Sequence, residues 1–158
     1  AKEDLAEHIC RIVDKYQVPH HVIELELTES AFFDDKEILL QTVKKLREAG
    51  FIVSMDDFGA GYSSLNSLKE LQLDVLKLDA DFFRGTDTQE RGMLIVSEVI
   101  DMAKKLNMKI VAEGIESREQ VDFLVEQECD LIQGYYFAKP MPISEFERRM
   151  SIPSTSNV

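Results

Sequence analysis

The chain has 158 residues, of which 44% are hydrophobic and 30% are charged, and its formal net charge is -12. This balance predicts one globular domain with a hydrophobic core of its own. The acidic surface argues against sequence-independent binding to DNA or RNA, which depends on basic patches. It does not exclude a small phosphate ligand, because bound cations reverse the local charge.

The sequence shows no pattern of export or membrane contact. No apolar run is long enough to span a membrane, and no charged-then-apolar leader precedes the first helix. Cys10 and Cys129 are far apart, and two buried apolar thiols are expected rather than a disulfide or a metal site. We therefore expect a cytoplasmic protein. Residues 151–158 are polar and predict a flexible tail after a domain of residues 1–150.

Hydrophobic residues recur alternately at helical and at strand spacing along the chain. The predicted helices cover 1–17, 34–49, 64–71, 88–106 and 117–127. The predicted strands cover 20–27, 51–55, 74–79, 108–112 and 131–133. Gly50 marks a helix end, Ser117 and Gln120 form a capping box, and Ser144 and Glu147 are expected to cap a last short helix. This alternation predicts an α/β fold of about five parallel strands with flanking helices, covered on both faces.

Polar side chains stand where each predicted strand ends. These residues are Glu26, Asp56, Asp57, Lys77, Asp79, Glu113 and Gln133. In barrels and open α/β sheets, ligands bind at the carboxyl ends of the strands. Contact with water would explain any one of these residues, but it fits poorly for all five strands. We therefore predict a shared binding site at this edge of the sheet.

Asp56 and Asp57 are adjacent carboxylates, and a bend at the end of their strand would direct both at one centre. Asp56 would then bridge two cations and Asp57 would hold the second. Glu26 and Glu113 would approach from neighbouring strands. Oxygen ligands of this kind predict Mg²⁺ or Mn²⁺, and two such ions are a common clamp for displacement at a phosphodiester. Without a cation, or a lysine neighbour, these carboxylates would raise one another's pKa.

Two features beside the carboxylates each have two interpretations. Lys77 either orients or activates an attacking water, or is a structural ion-pair partner of Asp79 or Asp56, and the two roles are compatible. The segment 58–62 contains two glycines and is either a mobile active-site loop or a plain tight turn.

Five segments resemble, in order and spacing, the signature blocks of EAL-domain phosphodiesterases. They are 26–30 (ELTES), 56–65 (DDFGAGYSSL), 76–79 (LKLD), 112–116 (AEGIE) and 133–137 (QGYYF). The resemblance extends to about residue 150. It implies a TIM-type (β/α)₈ barrel, of which this chain would form a partial barrel. It also implies hydrolysis of the bacterial second messenger cyclic di-GMP to pGpG with two Mg²⁺ or Mn²⁺ ions.

The resemblance implies a role for each residue of the expected centre. Glu26 would bind the first metal, and Asp56 would bridge both metals. Asp57 would bind the second metal. Glu113 would bind the second metal or act as the base, and Lys77 would contact the nucleophilic water.

The resemblance further implies a set of supporting residues. Glu29 and Glu116 would anchor the loop that starts at Asp57, which favours the functional interpretation of the glycine segment. Gln133 would help to order the site. Asp79 is placed with these residues as support for the substrate or the loop.

The sequence departs from the family at its start. The glutamate-alanine-leucine motif, and the metal-binding asparagine of the strand after it, are absent and would lie upstream of Ala1. We therefore expect a fragment with little or no hydrolysis of its own. Asp56, Asp57 and Glu113 still predict weak cation binding. Open sheet edges predict self-association, such as a homodimer.

Two other functions compete with hydrolysis of cyclic di-GMP. The first is a non-catalytic receptor that binds cyclic di-GMP and signals through a partner. The retained carboxylates and Lys77 argue against it, because a receptor does not need them. The second is a different two-metal phosphohydrolase on the same fold, which would not need the glutamine–glycine block at Gln133.

Overall fold

The computed structural model describes residues 4–28, 35–58, 65–79, 81 and 89–151. In chain order they form α1 (Leu5–Lys15), β1 (Glu24–Thr28), α2 (Lys36–Glu48), β2 (Ile52–Phe58), α3 (Leu65–Glu70), β3 (Val75–Leu78), α4 (Gln89–Lys105), β4 (Lys109–Ala112), α5 (Arg118–Glu126), β5 (Leu131–Ile132) and α6 (Ile143–Met150). The predicted alternation of helices and strands is confirmed. Of the predicted tail, residues 152–158 lie outside the described residues.

The strands form one parallel sheet in the order β1-β2-β3-β4-β5. Each strand therefore pairs with the next strand along the chain, and the order never reverses. A doubly wound sheet has a switch point where the order reverses, whereas the wall of a TIM-type barrel has none. The predicted fold of about five parallel strands with flanking helices is confirmed.

The two faces of the sheet differ in chemistry. One face carries apolar side chains such as Met55, Leu76 and Ile110, which pack with helix residues including Leu46 and Ile100 in the core. Side chains alternate along a strand, so the neighbours of these residues on each strand point to the opposite face, which we call the second face. On β1 the second face is exposed. The prediction that both faces are covered is therefore wrong for this strand.

One of the two predicted helix caps is confirmed. The Ser117 hydroxyl accepts a hydrogen bond from the Gln120 N–H at 3.3 Å, and the Gln120 side chain accepts one from the Ser117 N–H at 3.2 Å. The predicted cap at Ser144 is wrong. Helix α6 begins at Ile143 with Pro142 at the cap position. The fixed φ of proline suits the start of a helix, so Ser144 lies within the first turn.

Two turns set where β1 and β2 begin. His20–Val22 form a single 3₁₀ turn, so β1 starts at Glu24, later than predicted. Gly50 has a φ of 97°, which residues with a side chain rarely adopt, and it ends α2 as predicted. Strand β2 continues to Phe58, beyond its predicted end.

Cys10 and Cys129 are free, half-buried thiols that pack against the core. Burial raises the pKa of both thiols. They are therefore structural thiols of low reactivity. Among the described helices, none combines the length and the apolar character that a bilayer crossing requires.

His20 links three elements at the base of the sheet. Its ring stacks on Phe51 with a centroid distance of 4.2 Å. Its Nδ1 lies 2.7 Å from the carbonyl oxygen of Ala49, and its Nε2 lies 2.7 Å from Oδ1 of Asp14. Both partners only accept hydrogen bonds, so both ring nitrogens must donate. The Ala49 carbonyl and the Asp14 carboxylate therefore raise the pKa of His20.

We expect His20 to stabilise the fold most at low pH. Its contribution is full below the unfolded pKa of 6.5 and is lost as the pH rises through the higher folded pKa. Thermal unfolding between about pH 5 and about pH 9 should show this loss in the wild type and a flatter profile in His20→Gln. The exposed neighbour His21 provides the control, His21→Gln. Identical profiles for wild type and His20→Gln would contradict the prediction.

Candidate metal centre

The end of β2 contains a bulge that brings two carboxylates together. The register of β2 against β3 shifts between Met55 and Phe58, so that Asp56 and Asp57 together oppose Lys77. Asp57 has a φ of 54°, a left-handed conformation that aspartate tolerates better than most residues. Its N–H donates to Oδ1 of Asp56 at 2.9 Å. The bulge provides the predicted bend, because in a regular strand the two side chains would point to opposite faces.

Asp56, Asp57 and Glu113 form a cluster that can hold a cation. Each offers one carboxylate oxygen, and these oxygens lie within 4.8 Å of one another. Glu113 follows β4 directly and is therefore contributed by a strand that does not pair with β2. Neighbouring ligands around a cation with bonds of about 2.1 Å are about 3 to 4 Å apart, so small side-chain movements would let all three oxygens reach one cation. The donors are all oxygens, which fits Mg²⁺, Mn²⁺ or Ca²⁺.

Lys77 lies between this cluster and β1. Its Nζ forms a hydrogen-bonded ion pair with Glu26. The same Nζ lies 3.6 Å from Oε1 of Glu113 and 3.7 Å from Oε1 of Glu24. Only 13% of the Lys77 side chain is exposed. Glu26, predicted as a metal ligand, is therefore not one of the three clustered carboxylates, and Lys77 links it to Glu113.

The partners of Lys77 differ from those predicted. Within the described residues its ion pairs are with three glutamates, and not with Asp79 or Asp56. The Asp79 carboxylate instead accepts the N–H of Asp81 at 2.6 Å. Glu24 was not predicted as a site residue. Side chains alternate along β1, so Glu24 lies on the same face as Glu26. This alternation is the signal that would have identified Glu24.

Burial and mutual repulsion perturb the pKa values of the cluster. Burial and the charge of Asp56 raise the pKa of Glu113 to about 7, against the opposite effect of Lys77. The charge of Asp56, burial and more distant carboxylates raise the pKa of Asp57. Burial alone would lower the pKa of Lys77, but the hydrogen bond to Glu26 and the nearby charges outweigh it and raise the pKa. One lysine does not neutralise this group, so a divalent cation would relieve the repulsion.

The remaining predicted residues follow β4 and β5 or lie outside the described residues. Gln133 follows β5, is exposed, and its N–H donates to the Ala112 carbonyl at 2.8 Å. Glu116 is exposed in the segment after β4. Glu29 and the glycine loop 59–64 lie outside the described residues. The anchoring of this loop by Glu29 and Glu116 therefore stays a prediction.

Gly134 fixes the segment after β5 against the segment after β4. A Cβ at Gly134 would lie 2.0 Å from the carbonyl oxygen and 2.3 Å from the nitrogen of Ile115. The same Ile115 groups bond to the Gln133 carbonyl at 3.1 Å and to the Tyr136 N–H at 3.0 Å. The clash would be with backbone that is already tied in place. Only glycine therefore fits beside Gln133.

Gly134→Ala is expected to lower the free energy of unfolding by at least about 2 kcal/mol, because neither backbone segment can move without breaking hydrogen bonds. Urea denaturation checks the value. Ala138→Gly, in the same segment, is a control that adds backbone freedom without a clash, and its expected cost is at most about 1 kcal/mol. A Gly134→Ala variant as stable as the wild type would show that this contact is loose.

Comparison with known proteins places these residues in a family context. Residues 1–140 match the family model of the EAL domain. The cyclic di-GMP phosphodiesterase NbdA of Pseudomonas aeruginosa is 44% identical over 125 residues, which are 79% of this chain and 16% of that protein. This chain therefore spans only a small part of that relative.

Solved structures show the same likeness. The EAL domain of Mycobacterium smegmatis DcpA has a TM-score of 0.82 and 33% identity, over 92% of this chain and 66% of that chain. Klebsiella pneumoniae BlrP1, solved as a manganese and cyclic di-GMP complex, has a TM-score of 0.75 and 31% identity, over 84% of this chain and 34% of that chain. The likeness covers most of this chain but less than two thirds of either structure.

Proposed function

Because this chain belongs to the EAL domain family, we propose that residues 1–150 are part of a domain that hydrolyses cyclic di-GMP to pGpG with two divalent cations. One observation carries the proposal. Carboxylates from β2 and from the end of β4 converge at the carboxyl edge of a parallel sheet, and a charged lysine lies 3.6 Å from one of them. A purely structural domain has no need of such a repulsive group. The names of NbdA and of the BlrP1 complex support cyclic di-GMP as the substrate.

The group of Asp56, Asp57 and Glu113 supports one cation position, and Glu26, which pairs with the neighbouring Lys77, supports a second. We propose that Asp57 and Glu113 hold one cation, that Glu26 holds the other, and that Asp56 bridges them. Mg²⁺ and Mn²⁺ suit this all-oxygen donor set, and the BlrP1 complex supports manganese. When bound, the cations polarise the phosphodiester and lower the pKa of a coordinated water.

The chain's own residues supply positioning and proton transfer. We propose that Lys77 directs its ammonium group at the nucleophilic water, since its raised pKa keeps it charged at neutral pH. Burial and the charge of Asp56 raise the pKa of Glu113 to about 7 when no cation is bound. We propose that Glu113 serves either as the general base or as a ligand of the cation.

Supporting residues are proposed to hold the bulge and the loop. The Asp79 N–H donates to the Phe58 carbonyl at 3.3 Å, which continues the pairing of β2 and β3 past the bulge. We propose that Asp79 thereby fixes Asp57. Gln133 is proposed to order the site from β5, and Glu116 to anchor the loop together with Glu29.

Hydrolysis of cyclic di-GMP by the full-length protein with Mn²⁺ tests the function, with pGpG release followed by chromatography. We expect turnover that Asp57→Asn abolishes. Asp122→Asn, a surface carboxylate in an ion pair with Arg118, is the matched control and should retain turnover. Binding of cyclic di-GMP without turnover would favour a receptor. Equal turnover of unrelated linear phosphodiesters would favour a general phosphohydrolase.

We also propose that the chain forms a homodimer through the β5 side of the sheet. Strand β5 is an edge of the described sheet, and a groove of about 680 Å³ beside it is lined by apolar residues including Leu131 and Phe146. Leu131 is 60% exposed and Ile143, at the same groove, is 77% exposed. Unpaired edges and apolar patches of this kind favour association with another copy.

Light scattering over a range of concentrations should show the dimer, and Ile143→Lys should shift it towards monomer. Val125→Lys is the control, because Val125 is 62% exposed on α5 and does not line the groove. A wild-type chain that stays monomeric at high concentration would contradict the proposal.

The cytoplasm is our proposed location. Both cysteines are free, which suits a reducing compartment. The proposed substrate, cyclic di-GMP, is a bacterial second messenger and is found inside cells. Fractionation of cells that express the full-length protein checks the location.

A further inference from the structure

Ser54 is a buried hydroxyl without a partner in the described part of the chain. Its relative exposure is 0%, and its Oγ forms no hydrogen bond there. A polar group buried in this way costs about 1 to 3 kcal/mol. Alanine would fit the same strand position without that cost. Such a group in a folded protein calls for an explanation, such as an ordered water or ion or a role in binding or catalysis.

The sheet register places Ser54 beneath the proposed cation site. Ser54 pairs with Glu26 of β1 and with Val75 of β3, so the three side chains share the second face. The next residue of β2 on this face is Asp56. Val75 is apolar and cannot be a partner. The polar groups next to Ser54 on this face therefore belong to the site itself.

The ion pair between Lys77 and Glu26 crosses β2 next to Ser54, because Glu26 is the register partner of Ser54. Lys77 is on β3 and Glu26 is on β1, and β2 runs between these strands. Strands two positions apart are separated by about 9 to 10 Å, so the lysine side chain must cross the second face of β2 to reach the glutamate. This crossing is consistent with the full burial of Ser54 on a face where β1 is exposed.

The hydrogen-bond requirement of Lys77 changes if Glu26 binds a cation as proposed. An ammonium group has three donors, and Glu26 is the one acceptor within hydrogen-bond distance among its described partners. A carboxylate that coordinates a cation is a weaker partner for a second positive charge. Lys77 then keeps Glu24 as an ionic partner at 3.7 Å but has no acceptor within hydrogen-bond distance among its described partners, and the Ser54 hydroxyl has lone pairs to offer.

We propose that Ser54 is a positioning residue, whose Oγ accepts a hydrogen bond from the Lys77 ammonium group, directly or through one water, when cations occupy the site. This rests on the proposed function, in which Lys77 directs the attacking water. Ser54 does not touch the substrate. It holds Lys77, which directs the attacking water, and displacement of such a group by about 1 Å can lower the rate up to about a hundredfold.

The Lys77 ammonium signal in ¹⁵N NMR spectra tests the proposal at saturating Mg²⁺. Absence of the signal in Lys77→Met assigns it. We expect a slowly exchanging signal in the wild type, at least about tenfold faster exchange in Ser54→Ala, and recovery in Ser54→Thr, which keeps the hydroxyl. Ser144→Ala, an exposed serine of α6, is the control and should leave the signal unchanged.

Two further measurements separate positioning from a merely structural role. In the full-length protein, Ser54→Ala should lower kcat about tenfold with KM unchanged. A Ser54→Ala variant with an unchanged Lys77 signal and a higher Tm than the wild type would overturn the proposal, because that is the result for a hydroxyl with no partner in either state. If Ser54→Ala speeds the exchange of the Lys77 signal but the full-length wild type does not hydrolyse cyclic di-GMP, the proposed function is refuted and the contact between Ser54 and Lys77 is supported.

Discussion

Asp56→Asn and Asp57→Asn are expected to lower the affinity of this chain for Mg²⁺ or Mn²⁺ by at least about a hundredfold. Loss of a residue that only supports a ligand already costs about 10- to 100-fold in metal affinity, and these two residues are proposed as ligands. The bulge of β2 places a carboxylate oxygen of each aspartate within 4.8 Å of a carboxylate oxygen of Glu113. No other described carboxylate belongs to this group of three. Isothermal titration calorimetry measures the affinity.

The same Asp57→Asn variant is expected to be more stable than the wild type when no cation is added. The charge of Asp56 raises the pKa of Asp57, so the ionised carboxylate costs stability in the folded state. The free energy of unfolding of the wild type therefore falls as the pH rises through the raised pKa and Asp57 ionises, whereas asparagine stays neutral. The advantage of the variant should thus appear at neutral pH and vanish in acid.

A control variant at a surface carboxylate separates these effects from a general change in charge. Asp122→Asn removes a negative charge in an ion pair on α5 and should leave both the affinity and the pH dependence unchanged. Wild-type affinity in Asp57→Asn would show that the cluster does not bind the cation.

The fold was predictable because each element has a clear hydrophobic period. The misplaced start of β1 shows the limit of that signal. His20 to Val22 continue the alternation of a strand, but the hydrogen bonds of His20 to Asp14 and Ala49 fold this segment into a turn. These partners lie outside the segment, 6 and 29 residues from His20, so the pattern of the segment itself carries no trace of them.

The site was predictable as a set of residues but not as a set of contacts. The strand ends named Glu26, Asp56, Asp57, Lys77 and Glu113. Three of these carboxylates lie together, and Lys77 links Glu26 to Glu113. The convergence of the two aspartates depends on a bulge, which forms only through pairing with β3. The ion pairs of Lys77 depend on the reach of its side chain across β2. Neither can be read from spacing along one strand.

Lys77→Met is expected to bind Mg²⁺ or Mn²⁺ more tightly than the wild type and yet to lose hydrolysis. The lysine is the positive charge that the cations must approach, since its Nζ lies 3.6 Å from Glu113 and pairs with Glu26. Its removal lowers the repulsion of an incoming cation and frees Glu26. Turnover by the full-length protein should nevertheless fall by about 10²- to 10⁴-fold, because the attacking water loses its charged partner.

Without added cation, Lys77→Met should be less stable than the wild type at neutral pH. Three glutamates lose their shared counter-charge, and the expected loss is about 2 kcal/mol, less than for a fully buried pair because these glutamates are 20–47% exposed. The loss should shrink in acid, where the carboxylates are protonated. Addition of Mg²⁺ should raise Tm more in Lys77→Met than in the wild type, because ligand-linked stabilisation grows with affinity.

The opposite signs of binding and turnover make this variant decisive for the role of the lysine. Lys109→Met removes the same charge from an exposed position on β4 and should change neither quantity. If Lys77 is only a structural counter-ion, the excess Mg²⁺ that replaces its charge should restore turnover along with stability. If it positions the attacking water, Mg²⁺ restores stability alone, because a cation that satisfies the carboxylates does not place an ammonium group beside the nucleophile.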